Sequence, residues 1–493
     1  MKSFLKINDK DNVAIAIKDI KKGTNIIDYN VELVDDIKKG HKFAIRDIKK
    51  SEDIIKYGLP IGHAIKDIKK GQWVHVHNTK TNLSDIIEYK YQKEEAKNYD
   101  KLVDKSLKFM GYRREDGSCG VRNEIWIVPA VGCINQVCEN VKKIAEKKYP
   151  NLTFKVLHHT HGCSQLGDDL STTRKILAGL IKNPNAGGVL VVSLGCENNQ
   201  IDGFKEFLEP INEKRIKFIT AQEVDDEYEA SMEKIDQLVD YVSSFKLEAL
   251  PISELNIAFK CGGSDGLSGI TANPLCGYVS DKLVANGAIT MLTEVPEMFG
   301  AEKLLMNRAH SEDVFEDLVV MINNFKDYFK SYGQNIYENP SPGNKEGGIT
   351  TLEDKSLGCI QKGGSSEIVD VLDLGEKART RGLNLLNGPG NDQVSCTNLA
   401  ASGAAIIVFT TGRGNPFGSV VPTIKMSTNT DLAKKKKNWI DFDAGRILSE
   451  DMSFEELRDE FLSYLIEVAS GKKTKNEEFG FEEIALFKNG VIL

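Results

Sequence analysis

Residues 187–195 read GGVLVVSLG, a run that is apolar except for Ser193 and is set between glycines. A short strand that is apolar on both faces is typical of a parallel sheet covered by helices on either side. Similar runs at 125–131 (IWIVPAV) and 154–160 (FKVLHHT) are followed by predicted helices that begin near Asn135 and Asp168. This alternation of strand and helix predicts an α/β domain with a mainly parallel sheet.

A second alternation follows a charged interval, from about Glu223 to Lys246, that we predict to be helical. Its apolar runs surround a predicted helix that extends through Val279 to Asn286. The pattern predicts a second α/β domain of the same class. The runs are LNIAFKCGG (255–263), AITMLTEVP (288–296) and AAIIVFTTG (404–412).

The N-terminal region repeats one phrase, which reads AIKDIKKG at 16–23 and 64–71 and AIRDIKKS at 44–51. A solenoid needs one fixed period, and these copies are unevenly spaced. Each copy resembles a strand that runs into a tight turn, so we predict a small β domain. Its Asp and Lys residues are expected to form a solvated rim.

Between Tyr91 and Lys108 half of the residues are charged and glycine and proline are absent, which predicts an exposed helical connector. The predicted fold class is therefore multidomain, with a small N-terminal β domain followed by two α/β domains. The predicted boundaries are 1–88 for the β domain, 89–108 for the connector, and 109–248 and 249–493 for the α/β domains.

Composition excludes several classes of function for this chain of 493 residues. A formal net charge of -8 leaves no basic surface for nucleic acid. No segment approaches the eighteen consecutive apolar residues of a membrane span, and the charged start predicts a cytoplasmic protein. The nine cysteines do not form a disulfide pattern and are expected to be reduced thiols. A small-molecule substrate is the expected partner, and homo-oligomerisation is left open.

Reactive residues follow several of the predicted strands, at the edge where open α/β sheets bind their ligands. They include His161 and Cys163, Cys196, the segment from Cys261 to Asp265, and Arg413. A single cysteine after a strand is usually a buried apolar residue, but several at equivalent positions predict that at least two line a cleft.

The third copy of the repeat runs into His75-Val76-His77. In an extended strand these two imidazoles would project from the same face and form half of a metal site. The alternative is that both pack at a domain edge. Arg122, Lys355 and Arg413 lie in glycine-rich segments, where they could clamp a carboxylate or serve as helix caps and surface ion pairs.

Six long segments, in order, make the chain resemble the altronate/galactarate dehydratase family over nearly its whole length. They are VHVHN (74–78), GYRREDGSCGVRNEIWIVPAVGCIN (111–135), HTHGCSQLGDD (159–169), KCGGSDGLSGITANP (260–274), SPGNKEGGITTLEDKSLG (341–358) and FTTGRGNPFGSVVPTIKMSTN (409–429). The resemblance implies that residues 11 to about 82 form the family's SAF module, which has a β-clip fold. Chain length and the phrase TLEDKSLGCIQKGG are most like the altronate-specific members.

The resemblance implies a hydro-lyase that converts D-altronate to 2-dehydro-3-deoxy-D-gluconate and water in hexuronate catabolism. It implies a requirement for Fe²⁺, with Mn²⁺ as a substitute. The family comparison does not assign the ligands or the general base, which we place at either His161 or Lys260. The expected roles are metal ligation by His75, His77, Cys163 and Cys261; catalysis by His161, Lys260 and Asp265; and substrate binding by Arg122, Asn123, Lys355 and Arg413.

Two alternatives stay open from the sequence. The same scaffold could act on galactarate, or eliminate sulfite from a sulfonated hydroxy acid. An alternative of another class is a non-catalytic, electron-transfer protein with an iron–sulfur cluster on the strand-end cysteines. The absence of clustered cysteine spacings argues against it.

Overall fold

The computed structural model describes residues 3–83, 88–337, 339–449 and 452–490. Residues 84–87, which precede the predicted domain boundary at residue 88, lie outside the described residues. Within the described ranges, no helix combines the length and the apolar character needed to cross a membrane.

The N-terminal region is a small β domain built from short strands. They form a four-stranded antiparallel sheet in the order β1-β2-β5-β8, the pair β3-β4 and the three-stranded sheet β6-β7-β9. The strands are β1 (Phe4–Leu5), β2 (Val13–Ala16), β3 (Asn25–Ile26), β4 (Val31–Glu32), β5 (Lys42–Ala44), β6 (Asp53–Lys56), β7 (Leu59–Ala64), β8 (Trp73–Val74) and β9 (Thr79–Lys80).

The repeated phrases pair two by two, and the pairing reveals a fourth copy, VDDIKKG at 34–40. The isoleucines of paired copies form isolated bridges, Ile20 with Ile37 and Ile48 with Ile68. In each couple the aspartate of one copy accepts a hydrogen bond from a lysine backbone N–H of the other. The four bonds join Lys39 N to Asp19 (2.8 Å), and Lys22 N to Asp36, Lys70 N to Asp47 and Lys50 N to Asp67 (2.9 Å each). The prediction of a strand and turn is confirmed. The aspartates were expected only to form a solvated rim, but they also fix the turns through these hydrogen bonds.

The second domain contains a parallel sheet in the order β13-β12-β14-β15. A separate antiparallel sheet, β11-β10-β16, joins the start and the end of the domain. The strands are β10 (Lys108–Arg113), β11 (Cys119–Gly120), β12 (Glu124–Pro129), β13 (Phe154–Val156), β14 (Ala186–Ser193), β15 (Ile216–Thr220) and β16 (Glu248–Pro251). The α-helices are α1 (Asn135–Lys148), α2 (Gly167–Ile181), α3 (Ile201–Lys205) and α4 (Glu227–Ser243).

The C-terminal domain contains a seven-stranded parallel sheet in the order β19-β20-β18-β17-β21-β22-β23. Its strands are β17 (Asn256–Cys261), β18 (Ile289–Leu292), β19 (Ile368–Leu372), β20 (Gly382–Leu386), β21 (Ile406–Thr411), β22 (Thr423–Ser427) and β23 (Phe442–Asp443). Its helices are α5 (Ala272–Ala285), α6 (Glu302–Met306), α7 (Glu312–Ser331), α8 (Pro342–Glu346), α9 (Leu352–Cys359), α10 (Asp392–Ala401), α11 (Thr430–Lys435), α12 (Arg446–Ser449), α13 (Phe454–Ala469) and α14 (Lys475–Glu478). The predicted fold class, a small β domain followed by two α/β domains, is confirmed.

The two α/β domains share one apolar core, in which α2 of the second domain packs against α10 of the C-terminal domain. Gly179 permits the close approach, because a Cβ atom there would lie 2.6 Å from the carbonyl oxygen of Ala401. Asn183 then donates to the carbonyls of Ala400 and Ala404 at 2.8 and 2.9 Å. These contacts join the C-terminal end of α2 to the C-terminal end of α10.

The predicted helical connector between residues 91 and 108 is wrong. The described segment from residue 88 is irregular, apart from one 3₁₀ turn at Asp100–Leu102, until β10 begins. The hydroxyl of Tyr91 donates to the carbonyl of Ala309, and the backbone N–H of Glu94 donates to the carbonyl of Asn307. These contacts with the C-terminal domain replace the local hydrogen bonds of a helix, and tertiary contacts of this kind override helix propensity.

Candidate active site

A buried ion network begins at Lys260, the penultimate residue of the central strand β17. Its ammonium contacts a carboxylate oxygen of Glu294, and it lies 2.8 Å from Oδ1 of Asp392. Glu294 follows β18 in a left-handed backbone conformation (φ 74°), which non-glycine residues rarely adopt. Asp392 begins α10. Three neighbouring strand ends thus contribute to one ionic contact.

Two thiols and a carboxylate lie directly beside this network. The Sγ atom of Cys261 is 3.0 Å from Oε2 of Glu297 and 3.5 Å from Sγ of Cys359. The donor atoms of these three buried residues all lie within 4.8 Å of one another, and among the described residues they form the one such group that could hold a metal ion. We call Cys261, Glu297 and Cys359 the thiol–carboxylate group.

Two further lysines contact this group from α9 and the turn that follows it. Lys362 Nζ lies 2.7 Å from Cys261 Sγ and 3.0 Å from Glu294 Oε2. Lys355 Nζ lies 2.7 Å from Glu297 Oε1. With Lys260, the site therefore holds three lysines against three carboxyl groups, those of Glu294, Glu297 and Asp392, so their formal charges are equal and opposite.

The ionic contacts hold Lys260 and Glu297 in their charged forms, whereas burial, together with the charge of Glu297, raises the pKa of Glu294. Burial opposes charge on Lys260, yet the carboxylates of Glu294 and Asp392 raise its pKa well above the usual value. Burial would also raise the pKa of Glu297, but Lys355 and Lys362 keep it well below its usual range. Lys260 is therefore a cation at neutral pH and cannot accept a proton.

Asp392 connects the network to solvent. Its side chain is 28 % exposed, whereas the side chains of Lys260 and Glu294 are fully buried. Asn415 donates to Asp392 Oδ2 at 2.6 Å. Gly262 lies beside this carboxylate, and a Cβ atom there would come within 2.6 Å of Asp392 Oδ2. A small residue at this position is therefore required for the approach of Asp392.

A cavity of about 850 Å³ lies between the N-terminal and C-terminal domains. The Nε2 atom of His41 is 3.0 Å from the carbonyl oxygen of Glu346, and Trp73 Nε1 donates to His41 Nδ1 at 3.1 Å. Arg413, which pairs with the Glu346 carboxylate at 2.8 Å, precedes Asn415 by two residues. The lining residues are Asp36, Lys38, His41, Trp73, His75, Pro342, Lys345, Glu346 and Arg413.

The structure places His75 and His77 in a turn and not in a strand, because β8 ends at Val74. The backbone N–H of Asn78 closes the turn on the carbonyl of His75 at 3.0 Å. Both imidazoles contact Trp73, with ring centroids 5.1 and 4.9 Å away. The strand geometry from which we predicted a paired metal half-site is therefore wrong. Their role as ligands stays a prediction.

Burial, reinforced by the charge of Lys42, lowers the pKa of His75 to about 3. The His75 ring is consequently neutral at physiological pH. Its Nδ1 atom lies 3.3 Å from Oγ1 of Thr350, a residue of the C-terminal domain.

His161 and Cys163 lie on the loop after β13, at the carboxyl edge of the second domain's sheet. Cys163 is exposed. Burial, together with the charge of Lys488, lowers the pKa of His161. The structure thus brings Lys260, Cys261 and Lys355 together, and places His161 and Cys163 on a different sheet.

The guanidinium of Arg122 is fully occupied by protein acceptors. It forms a bidentate pair with Glu477 of α14, at 2.7 and 2.9 Å. It also donates to the carbonyls of Val121, Val468 and Lys472.

Asn123 follows and is likewise engaged within the protein. Its Oδ1 atom accepts from Arg114 at 2.7 Å, and its Nδ2 atom donates to the carbonyl of Val242 at 3.0 Å.

Asp265 is buried in a set of neutral donors. Thr428 Oγ1 lies 2.9 and 3.0 Å from its two carboxylate oxygens, and the backbone N–H of Leu267 donates at 3.1 Å. Burial raises the pKa of Asp265. The residue joins the loop after β17 to the end of β22.

Sequence reasoning missed Glu294, Glu297, Cys359, Lys362 and Asp392. Glu294 lies near the end of the predicted strand AITMLTEVP (288–296) and Glu297 directly follows it, so the strand-end rule that selected Cys261 applies equally to both. Cys359 and Lys362 lie within the phrase TLEDKSLGCIQKGG, which carried the resemblance.

Comparison with known families covers the chain in three consecutive segments. Residues 2–82 match the altronate/galactarate dehydratase SAF domain, and residues 111–243 match the D-galactarate dehydratase/altronate hydrolase second domain. Residues 252–492 match the D-galactarate/altronate dehydratase C-terminal domain. The chain belongs to the altronate/galactarate dehydratase family.

Curated members of this family align with the chain over almost its whole length. An altronate dehydratase of Bacillus subtilis strain 168 is 52% identical over 100% of both chains. An altronate dehydratase of Escherichia coli K12 is 51% identical over 99% of this chain and 100% of its own. A galactarate dehydratase (L-threo-forming) of Escherichia coli K12 is 36% identical over 98% and 96% of the two chains.

Proposed function

We propose that this protein is a hydro-lyase that converts D-altronate to 2-dehydro-3-deoxy-D-gluconate and water. The observation that carries the proposal is the full-length identity of 51 to 52% with two altronate dehydratases, against 36% with a galactarate dehydratase. Galactarate is the second candidate substrate, because that relative covers nearly the same length of chain.

The reaction requires stabilisation of negative charge. Removing the proton next to a carboxylate creates an enolate-like dianion, which fixed positive charges stabilise as it forms. Lys260, Lys355 and Lys362 supply three ammonium groups near the carboxyl ends of the central strands. Since their carboxylate partners hold them in place, these lysines need little reorganisation during the reaction.

The thiol–carboxylate group fits a divalent cation. Thiolate ligands favour ferrous iron over magnesium. Because the neighbouring ammonium and carboxylate groups already balance, one dication that replaces the two thiol protons of Cys261 and Cys359 leaves the net charge unchanged. We therefore assign Fe²⁺ to Cys261, Glu297 and Cys359. Such an ion supplies Lewis-acid chemistry for carboxylate and hydroxyl oxygens.

The interdomain cavity is suited to a polyhydroxylated anion. Lys38, Lys345 and Arg413 give its wall three positive charges, against the two carboxylates of Asp36 and Glu346. Arg413 can bind a carboxylate with two parallel hydrogen bonds. We assign it to the acid group of the substrate.

His161 is the candidate general base. Its lowered pKa keeps the imidazole neutral at physiological pH, whereas Lys260 is held as a cation. This assignment places the base on the second domain and the charge-stabilising lysines on the C-terminal domain. It therefore requires the substrate to contact both domains.

The proposal is tested by anaerobic assay of D-altronate and galactarate with ferrous iron, with detection of the 2-keto-3-deoxy product. Lys260→Met should abolish turnover. Lys326→Met is the matched control, because Lys326 forms an equally buried pair with Glu302 at 2.8 Å outside the site. It should lower the melting temperature but retain kcat. If galactarate is turned over and D-altronate is not, galactarate is the substrate. If neither is turned over, the proposal is refuted.

A further inference from the structure

The nine cysteines divide into two classes by exposure. Six are buried, as is usual for free cysteine, which is among the most buried residue types. The three exposed cysteines, Cys133, Cys163 and Cys196, all belong to the second domain. They follow β12, β13 and β14, which are adjacent strands of one parallel sheet. Since parallel strands end at the same edge, the exposed thiols share one edge of the sheet.

Direct hydrogen bonds hold the three loops against one another. The backbone N–H of Gly132, next to Cys133, donates to the carbonyl of His161 at 2.9 Å. The backbone N–H of Ser164, next to Cys163, donates to Oδ1 of Asn198 at 2.8 Å.

A second hydrogen bond joins the loop of Cys163 to the loop of Cys196. The backbone N–H of Asn199, three residues after Cys196, donates to the carbonyl of Gly162 at 3.1 Å. Each exposed cysteine is therefore within three residues of a contact with a neighbouring cysteine loop.

The sulfur spacing differs from that of the thiol–carboxylate group. Donor atoms within 4.8 Å of one another occur, among described residues, in Cys261, Glu297 and Cys359 but not in the three exposed cysteines. Ligands of a single ion converge on one point. Thiolates that bind separate irons of a cluster stand farther apart, because the cluster itself occupies the space between them.

We propose that Cys133, Cys163 and Cys196 hold a [4Fe–4S] cluster in which the fourth iron has no protein thiolate. Thiolates are the usual ligands of such clusters. The open iron would bind adjacent hydroxyl oxygens of a polyhydroxylated acid, and this part of the inference rests on the proposed function. His161, two residues before Cys163, would then lie beside the bound hydroxy acid.

The surroundings provide polar support for the site. Gln222 Nε2 lies 3.6 Å from Cys196 Sγ, and an N–H donor to a ligating sulfur is one of the features that set cluster potential. Arg174 donates to the carbonyl of Asn198 at 2.9 Å. Its positive charge favours the single net negative charge of an oxidised cluster with three thiolates.

The test uses the full-length protein, purified without oxygen and reconstituted with ferrous salt and sulfide. We expect about five irons per chain, four in the cluster and one at the thiol–carboxylate group, together with about four acid-labile sulfides and broad visible absorption. Cys133→Ser, Cys163→Ser and Cys196→Ser should each lose most of the sulfide and the absorption. Cys138→Ala, a buried cysteine of α1 in the same domain, and Cys261→Ser should retain both.

The possible results distinguish a failure of the cluster proposal from a failure of the proposed function. Iron without sulfide, or single serine variants that keep the visible absorption at an unchanged melting temperature, would overturn the cluster. A cluster that forms but whose spectrum does not respond to D-altronate, in protein that turns D-altronate over, would overturn the open-iron role alone. A cluster in protein that acts on no sugar acid would refute the proposed function and leave the site standing.

Discussion

Lys42 and Asp354 form a fully buried ion pair between the N-terminal and C-terminal domains, with Lys42 Nζ 2.7 Å from Asp354 Oδ2. Lys56 reaches the other oxygen of the same carboxylate at 2.8 Å. Both lysines come from the β domain, and Asp354 lies on α9, which also carries Lys355 and Cys359. Docking of the β domain is therefore linked to the helix that contributes to the ion network.

Removing one lysine should be tolerated better than removing both. Lys42→Met leaves Asp354 paired with Lys56, so the buried carboxylate keeps a compensating charge and the loss of stability should be smaller. The double variant, Lys42→Met with Lys56→Met, leaves a buried carboxylate unpaired and should cost about 3 to 5 kcal/mol. Denaturant unfolding of the two proteins measures the difference, and equal losses would contradict the shared-carboxylate arrangement.

Lys42 should also give stability a distinct pH dependence. Burial lowers its pKa to about 8, despite the attraction of Asp354. Between about pH 8 and about 10.4, where an unperturbed lysine titrates, the unfolded chain binds more protons than the folded chain. Stability should therefore rise with pH in this window. The rise should be present in the wild-type protein and absent from Lys42→Met when their unfolding free energies are compared point by point.

Arg122 and Arg413 should respond differently to the same substitution. Arg122→Gln breaks a largely buried bidentate pair with Glu477, so we expect a lower melting temperature and an unchanged KM. Arg413→Gln removes an exposed guanidinium from the cavity wall, so we expect about a tenfold or larger rise in KM at nearly constant melting temperature. A rise in KM for Arg122→Gln would support its predicted role in substrate binding.

Asp265→Asn tests the catalytic role predicted for this residue. Since Asp265 accepts from Thr428 and from the backbone of Leu267, we expect a loss of about 1 to 3 kcal/mol in stability with kcat largely retained. An essential acid or base would instead lose about a hundredfold or more in rate. Melting temperature and kcat, measured on the same preparation, separate the two roles.

Glu297→Gln should weaken metal binding at the thiol–carboxylate group. The change removes a charged ligand and leaves Lys355 without its partner, so bound Fe²⁺ should fall about tenfold or more. Cys276→Ser is the control, because Cys276 is buried nearby in α5 but is not part of the group. Equal iron content in Glu297→Gln and wild-type protein, after anaerobic gel filtration, would exclude Glu297 as a ligand.

Apolar periodicity was sufficient to predict both parallel sheets, because buried parallel strands have a strong sequence pattern. The prediction of a helical connector was wrong because the contacts of its tyrosine and backbone with the C-terminal domain cannot be inferred from local composition. The strand-end rule found Lys260 and Cys261 and applies equally to Glu294. The left-handed backbone conformation of Glu294, however, cannot be predicted from spacing. The turn at His75 depends on the side chain of Asn78, which accepts from the His75 backbone N–H at 2.9 Å.

The close packing of Gly179 against Ala401 limits how members of this family can be recombined. A chimera joined between the second and C-terminal domains would pack α2 of one parent against α10 of the other parent. With a larger side chain at residue 179, the two halves would be forced apart by steric overlap, even if each were well formed. Grafting experiments should therefore exchange both α/β domains together, with the junction placed ahead of β10.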